Sequence, residues 1–179
     1  MIGCISKHGM LSVGPLFFPL LLLITGCATS SGLLVERWYM NDAKGIIAPL
    51  PGEYWELVSQ NGTRLAFRHR VSSAGILLNT TCGRDEHLSL PLLTRHLFFG
   101  FEQKEILEQE EVKIQGIPAL KSLLRAELQG MPLQIASYVI RYRSCVYDFV
   151  YYAHPQDFAT GLPDFERMVR EVRLIPQEG

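Results

Sequence analysis

The 179-residue sequence has no excess of either charge: 17 Lys and Arg stand against 18 Asp and Glu. The basic footprint of a nucleic-acid-binding protein is therefore missing, and no nucleic-acid partner is expected. There are only four cysteines and no C-x-x-C pair, so a thioredoxin-like redox role has no support. Spaced C-x₂₋₄-C or H-x₃₋₅-H pairs and H-E-x-x-H are absent too, which removes the usual zinc signatures. No G-x-S-x-G nucleophile elbow, G-x-G-x-x-G or P-loop occurs. No apolar run approaches the about 20 residues that cross a bilayer. The best, Met10 to Ile24, has 15 residues and is broken by Gly14, Pro15 and Pro19. No internal repeat and no low-complexity tract is seen. No cofactor, metal or catalytic residue is expected from these patterns.

What is present begins at the N-terminus. Lys7 and His8 give a weakly basic start, and Leu16 to Ile24 is apolar apart from Pro19. That is signal-peptide form. The run closes on Leu23-Ile24-Thr25-Gly26-Cys27, an aliphatic residue, then small residues, then cysteine. This stretch resembles the lipobox of bacterial lipoproteins. The resemblance implies cleavage between Gly26 and Cys27, a diacylglycerol thioether on Cys27, and acylation of the new amine. Two or more chains anchor stably where one binds only marginally, at roughly 0.8 kcal/mol per buried CH₂. The alternative is an ordinary secreted protein with a chance cysteine at the cleavage site. Ala28 stands where an Asp retains enteric lipoproteins in the inner membrane. By the same rule the protein would face the periplasm from the outer membrane. Ala28 to Gly32 are small and polar, as in a flexible tether. The expected organisation is a signal peptide over 1–26, a lipidated tether over 27–36 and one α+β domain over 37–179.

Cys4 leaves with the leader and Cys27 takes the lipid, so Cys82 and Cys145 remain. Outside the cytoplasm disulfides persist. A bridge between these two is the economical reading, and it would close a 63-residue separation. The chain-entropy estimate for such a loop is roughly 4 kcal/mol. Two buried free thiols, or one reactive thiol, are the alternatives.

Leu33 to Tyr39 is ambiguous, and Pro49 to Gly52 is a turn. Tyr54 to Ser59 and Arg64 to His69 form a hairpin about Asn61-Gly62. Gly75 to Cys82 reads as a strand. Ser89 caps a helix with Pro91 in its first turn and Leu93 and Leu97 on one face, and Gly100 ends it. Gln103 to Gln115 fits helix or strand, and alternation favours strand at Glu111 to Gln115. Leu120 to Leu128 places Ser122, Leu124, Ala126 and Leu128 on one face. Gln129-Gly130 turns the chain into two long strands, Leu133 to Tyr142 and Cys145 to Ala153, the second apolar on both faces and so central. Pro163 is expected to open a final helix that Pro176 stops. Phe165, Met168, Val169 and Val172 make its apolar stripe, with Arg170 and Arg173 near its negative end.

This order predicts α+β: a mostly antiparallel sheet packed with helices. From Glu53 to Ile175 it resembles the PsbP-like fold, most closely in its ending. There the turn at Gly130, two long strands and Asp157-Phe158 lead into Phe165-Glu166-Arg167-Met168-Val169. The resemblance implies a binding or assembly factor rather than an enzyme, with an envelope protein as partner.

Some residues could still carry chemistry. Cys82-Gly83-Arg84-Asp85-Glu86-His87 gathers possible metal ligands but reads better as a polar loop beside a bridged Cys82. Of His69, His87, His96 and His154, a hydrolase would need His87 or His154 beside an acid or nucleophile. Asp148, between Val146 and Val150 on a β-prone strand, is expected to be partly buried, which makes it a candidate carboxylate. Phe98, Phe99 and Phe101 cannot all point one way from a helix, so part of that group is expected at the surface. The expected function is a membrane-anchored, non-enzymatic accessory protein of an envelope transport or assembly system. The alternatives are a carrier for an apolar ligand held between sheet and helix and, less favoured, an envelope hydrolase.

Overall fold

The computed structural model of the chain describes residues 32–62, 64–83 and 87–176. The leader, the lipobox with Cys27, and Arg84, Asp85 and Glu86 lie outside the described residues. Three short strands come first: β1 (Leu33–Val35), β2 (Trp38–Asn41) and β3 (Ile46–Pro49). Seven longer ones follow: β4 (Trp55–Asn61), β5 (Arg64–His69), β6 (Gly75–Cys82), β7 (Glu102–Ile114), β8 (Ile117–Leu128), β9 (Met131–Tyr142) and β10 (Cys145–Ala153). Helix α1 (Leu90–Leu97) joins β6 to β7. Helix α2 (Phe158–Glu171) and β11 (Arg173–Leu174) close the chain. The fold is α+β, as its element order predicts.

β4 to β10 form one antiparallel sheet in the order β4-β5-β6-β10-β9-β8-β7. Two-residue loops fix its register. Gln115-Gly116 and Gln129-Gly130 have positive φ at both positions, the geometry that matches strand twist. In the first hairpin the turn falls one residue later than expected. Asn61 still pairs with Arg64, and Gly62 carries the positive φ. β10 lies fourth of seven, central as its apolar composition implies. Cys82 and Cys145 are direct cross-strand partners in β6 and β10 and form a disulfide.

Three segments depart from the sequence expectation. Leu33–Val35, assigned to the tether, pairs with β2, whose backbone it extends by one exposed strand. β7 runs over 13 residues rather than from Glu111, because two bulges, at 102–105 and 106–108, interrupt the alternation that marks a strand. α2 begins at Phe158 and carries Pro163 inside it. A helical proline forfeits one backbone hydrogen bond, so packing must hold the turns before it. The Tyr151 hydroxyl donates to the Phe158 carbonyl at 2.7 Å, and the Ser73 hydroxyl donates to Asp157 at 3.0 Å. The helix also stops before Pro176: Val172 is extended, and Arg173 and Leu174 pair with Ile47 and Ile46. That pairing completes a second sheet, β1-β2-β3-β11.

α2 and the second sheet cover one face of the large sheet. Phe165, Met168, Val169 and Val172 meet Tyr138, Ile140, Tyr147, Phe149 and Tyr151 there, together with Tyr39, Ile46 and Ala48. Trp55 Nε1 donates to Asp164 at 3.0 Å, and Arg167 bridges Asp164 and the Pro51 carbonyl. Burial pushes the Tyr151 phenol up to about 12, against a backbone hydrogen bond at Gly161 that lowers it. Its hydroxyl thus stays protonated, and able to donate, well above neutral pH. Gly161 makes this approach possible. A Cβ there would lie 2.8 Å from the Trp55 ring and 3.1 Å from the Tyr151 hydroxyl. Gly161→Ala is therefore expected to destabilise by about 1–3 kcal/mol through overpacking, despite a helix-propensity gain of about 1 kcal/mol. Urea unfolding checks this, and unchanged or increased stability would contradict the contact.

Candidate functional site beside helix α1

Among the described residues, the opposite face of the sheet is covered by α1 alone. Its eight residues span about 12 Å, whereas the 12-residue strands beneath it reach about 40 Å. The helix is placed by Ser89, whose carbonyl accepts from the backbone N–H groups of Leu92 and Leu93, and by Arg141, which donates to the Leu88 carbonyl. Leu93 packs on Val139 and Val146, and Phe98 packs on Leu124, Ala126, Ile135 and Val150. Beyond those contacts the face stays open on both sides of the helix.

Between α1 and β7 lies a cleft of about 620 Å³. It is lined by apolar Leu92, Phe98, Ile106 and Leu124 and by polar Arg95, Lys104 and Gln109, among others. Past the end of α1, Leu77, Phe101, Leu128, Leu133, Val150 and Tyr152 line a second, almost wholly apolar hollow of about 230 Å³. Phe99 is 90% exposed nearby, and Met131 is exposed as well. Of the three clustered phenylalanines, Phe98 is buried, Phe101 is half-buried and Phe99 is at the surface, as a helix end requires.

The β7 bulges decide which side chains reach the larger cleft. Register puts Glu102, Glu105, Glu108 and Glu110 opposite Glu127, Arg125, Leu123 and Lys121, on the α2 side. There Glu105 pairs with Arg125 at 3.8 Å, and Glu108 and Glu110 pair with Lys121 at 3.5 and 3.3 Å. Burial opposes the charge on Lys121. Tyr138, Glu110 and Glu108 outweigh it and hold the ammonium above the usual lysine range. The cleft side receives Lys104, Ile106 and Gln109 instead, with Ile106 opposite Leu124 and Gln109 opposite Ser122. Gln103 sits at φ +48° inside the first bulge, a strained backbone one residue before Lys104.

Polar groups also run under the helix. Gln109 Nε2 donates to Ser122 Oγ at 3.0 Å. Ser137, the β9 partner of Ser122, has its hydroxyl buried with no hydrogen-bond partner among the described residues, and so has Thr94 in α1. Together they leave the α1 contact polar and unsatisfied where it would otherwise be tightest.

The residues singled out by sequence fall elsewhere. Asp148 is half-buried and accepts from Asn79 Nδ2 at 3.1 Å. It shares a small pocket with His96, Thr81 and Leu97. His87 is exposed. His154 accepts the Gln156 N–H on Nδ1, and its own N–H donates to Ser73 Oγ. Ser73 in turn donates to Asp157, so this hydroxyl ties two loops together instead of facing an imidazole base. His69 is buried against Trp55, its Nδ1 2.8 Å from Ser72 Oγ. Among the described residues, no group of three or more His, Cys, Asp or Glu could hold a metal, and no helix is long and apolar enough to cross a membrane. Arg95, Thr94, Lys104, Ile106 and Gln109 escaped the sequence reading, because only the bulges and the short helix bring them together.

No protein-family model matches the chain, and no curated protein matches it in sequence. Its fold does have solved counterparts. CyanoP, the cyanobacterial PsbP of Synechocystis, superposes with a TM-score of 0.59 at 13% identity, over 83% of this chain and 95% of that one. LpqN, involved in cell envelope biogenesis of Mycobacterium tuberculosis, gives 0.57 at 15% identity, over 73% and 83%. PA94, a Pseudomonas aeruginosa protein of unknown function, gives 0.54 at 13% identity, over 71% and 100%. The chain therefore has the PsbP-like fold.

Thr94 offers a direct check of the α1 contact. Thr94→Val keeps the shape and removes a buried hydroxyl that has no partner, so it is expected to stabilise the protein by about 1 kcal/mol. Chemical denaturation measures it. A loss of that size would show that the hydroxyl is satisfied under the helix.

Proposed function

We propose that the protein is a non-enzymatic accessory lipoprotein of the bacterial envelope. Cys27 anchors it by lipid, and it serves an envelope transport or assembly system, most simply from the outer membrane facing the periplasm. The observation that carries this reading is the uncovered α1 face, where Phe99, Leu77, Leu128 and Met131 are exposed around an apolar hollow. Exposed apolar surface of this kind marks a partner site more often than a catalytic one. The lipobox-like Leu23-Ile24-Thr25-Gly26-Cys27 supplies the anchor. The cross-strand Cys82–Cys145 disulfide suits an oxidising compartment. The fold shared with LpqN, a protein of cell envelope biogenesis, is in keeping with that setting.

A second reading rests on a separate observation, the 620 Å³ cleft between α1 and β7. Its volume falls in the range of small-molecule sites, about 300–1,000 Å³. On this reading the protein carries an apolar ligand between sheet and helix.

Labelling with radioactive palmitate, combined with cross-linking in membranes, tests the first reading on wild type, Cys27→Ala and Phe99→Glu. The wild type is expected to incorporate label and to cross-link to an envelope protein. Cys27→Ala should lose the label, and Phe99→Glu should keep the label but lose the cross-link. Equal labelling of wild type and Cys27→Ala would overturn the anchor. A cross-link unaffected by Phe99→Glu would overturn the binding face.

A further inference from the structure

We infer that the α1–β7 cleft binds a single long acyl chain ending in a carboxylate, with Arg95 and Lys104 receiving the head. The inference rests on the carrier reading above and names its ligand. Three observations carry it.

The first is shape. At about 30 Å³ for each water-sized group, a cleft of about 620 Å³ takes roughly twenty such groups. That is the size of one acyl chain with its head. The second is lining. Leu92, Phe98, Ile106 and Leu124 give the chain an apolar bed, and Ile106 remains 60% exposed until something covers it. Burying such surface is worth roughly 25 cal/mol per Å².

The third is charge, and it is the most specific. β7 is rich in glutamate, and an edge strand of that composition would ordinarily repel an anion. Register puts Glu102, Glu105, Glu108 and Glu110 on the far face, Glu105 by way of the bulges, where Lys121 and Arg125 engage three of them; Glu111, opposite Leu120, is on the cleft face but does not line the cleft. What remains on the cleft is Lys104 from β7 and Arg95 from the last turn of α1. Among the described residues neither cation makes an ion pair. Lys104 only donates to the Phe98 carbonyl, at 3.3 Å. Two cations without carboxylate partners beside an apolar trough complement an anionic head on an apolar tail. Among the described lining residues no carboxylate competes for them, and Gln109 is neutral and already donates to Ser122.

Photo-cross-linking tests the proposal on the purified full chain, with a diazirine-bearing palmitic acid as probe and peptide mapping as readout. Competitors of matched length are palmitic acid, neutral hexadecanol and a palmitoyl lysophospholipid. The expected result is labelling concentrated on peptides spanning 89–109, competed at least tenfold better by palmitic acid than by hexadecanol. Arg95→Ala with Lys104→Ala should abolish that preference while the circular dichroism stays unchanged. Labelling of the same peptides with equal competition by acid and alcohol would overturn the role of the two cations and leave the carrier reading standing. Stronger competition by the lysophospholipid would overturn the carboxylate assignment in favour of a phosphate head. Labelling spread over α2, or none above background, would overturn the inference and the carrier reading together.

Discussion

β10 has three strands on either side of it, and its side chains are buried or half-buried on both faces. Its side chains divide accordingly. Tyr147, Phe149 and Tyr151 point to one side, and Val146, Asp148, Val150 and Tyr152 to the other. How each side is covered decides the rest of the molecule. The aromatic side is closed by a 14-residue helix and a second sheet, pinned by Tyr151, Trp55 and Asp164. The aliphatic side is left to an eight-residue helix that cannot reach across it. The candidate site is the shortfall between those two coverings.

The closed side shows what full coverage requires. Gly161 lets α2 approach the Trp55 and Tyr151 rings, and the Tyr151 hydroxyl steadies the turns that precede Pro163. Arg167 fixes the helix to the 49–52 turn. α1 is fastened at its start, where Arg141 donates to the Leu88 carbonyl. Its contact with the sheet contains two hydroxyls, on Thr94 and Ser137, that are buried without a partner among the described residues. Each is a modest cost, of the order of 1–3 kcal/mol. A contact that retains such costs is weaker than its apolar area implies. Weak coverage of an apolar face is unfavourable for stability alone, and it is what a face reserved for a ligand or partner needs.

Much of the fold was legible in sequence because local signals and tertiary structure agree. β5, β6 and β10 keep the limits read from turn residues and alternation. The disulfide followed from cysteine arithmetic and the presumed compartment, and the register delivers it. Disagreement arose where long-range packing overrides a local rule. Pro163 looks like a helix start, but the Tyr151 hydroxyl bonds the Phe158 carbonyl and holds the earlier turns. β1 and β11 are too short to leave a pattern and exist through their partners. The site was the least legible part. In 103–110 the period-two alternation fails because of the bulges, so neither strand nor helix could be preferred there. The same bulges place Lys104, Ile106 and Gln109 on one face, a grouping no spacing rule foretells. Asp148 and the histidines attracted attention by residue type, yet what distinguishes this molecule is where apolar surface was left uncovered.

The central claim is an asymmetry: one face of the sheet is closed by α2 and the second sheet, and the other is covered, among the described residues, by the short α1 alone. Native-state hydrogen exchange measures it directly, because local opening and global unfolding have separate free energies. The account predicts that α1 amides from Leu93 to Phe98 exchange through a local opening, at a free energy well below that of Phe165 to Val169 in α2 and of β10. Protection of α1 equal to that of α2 and β10 would mean that both faces are closed as one cooperative unit, and would contradict the account.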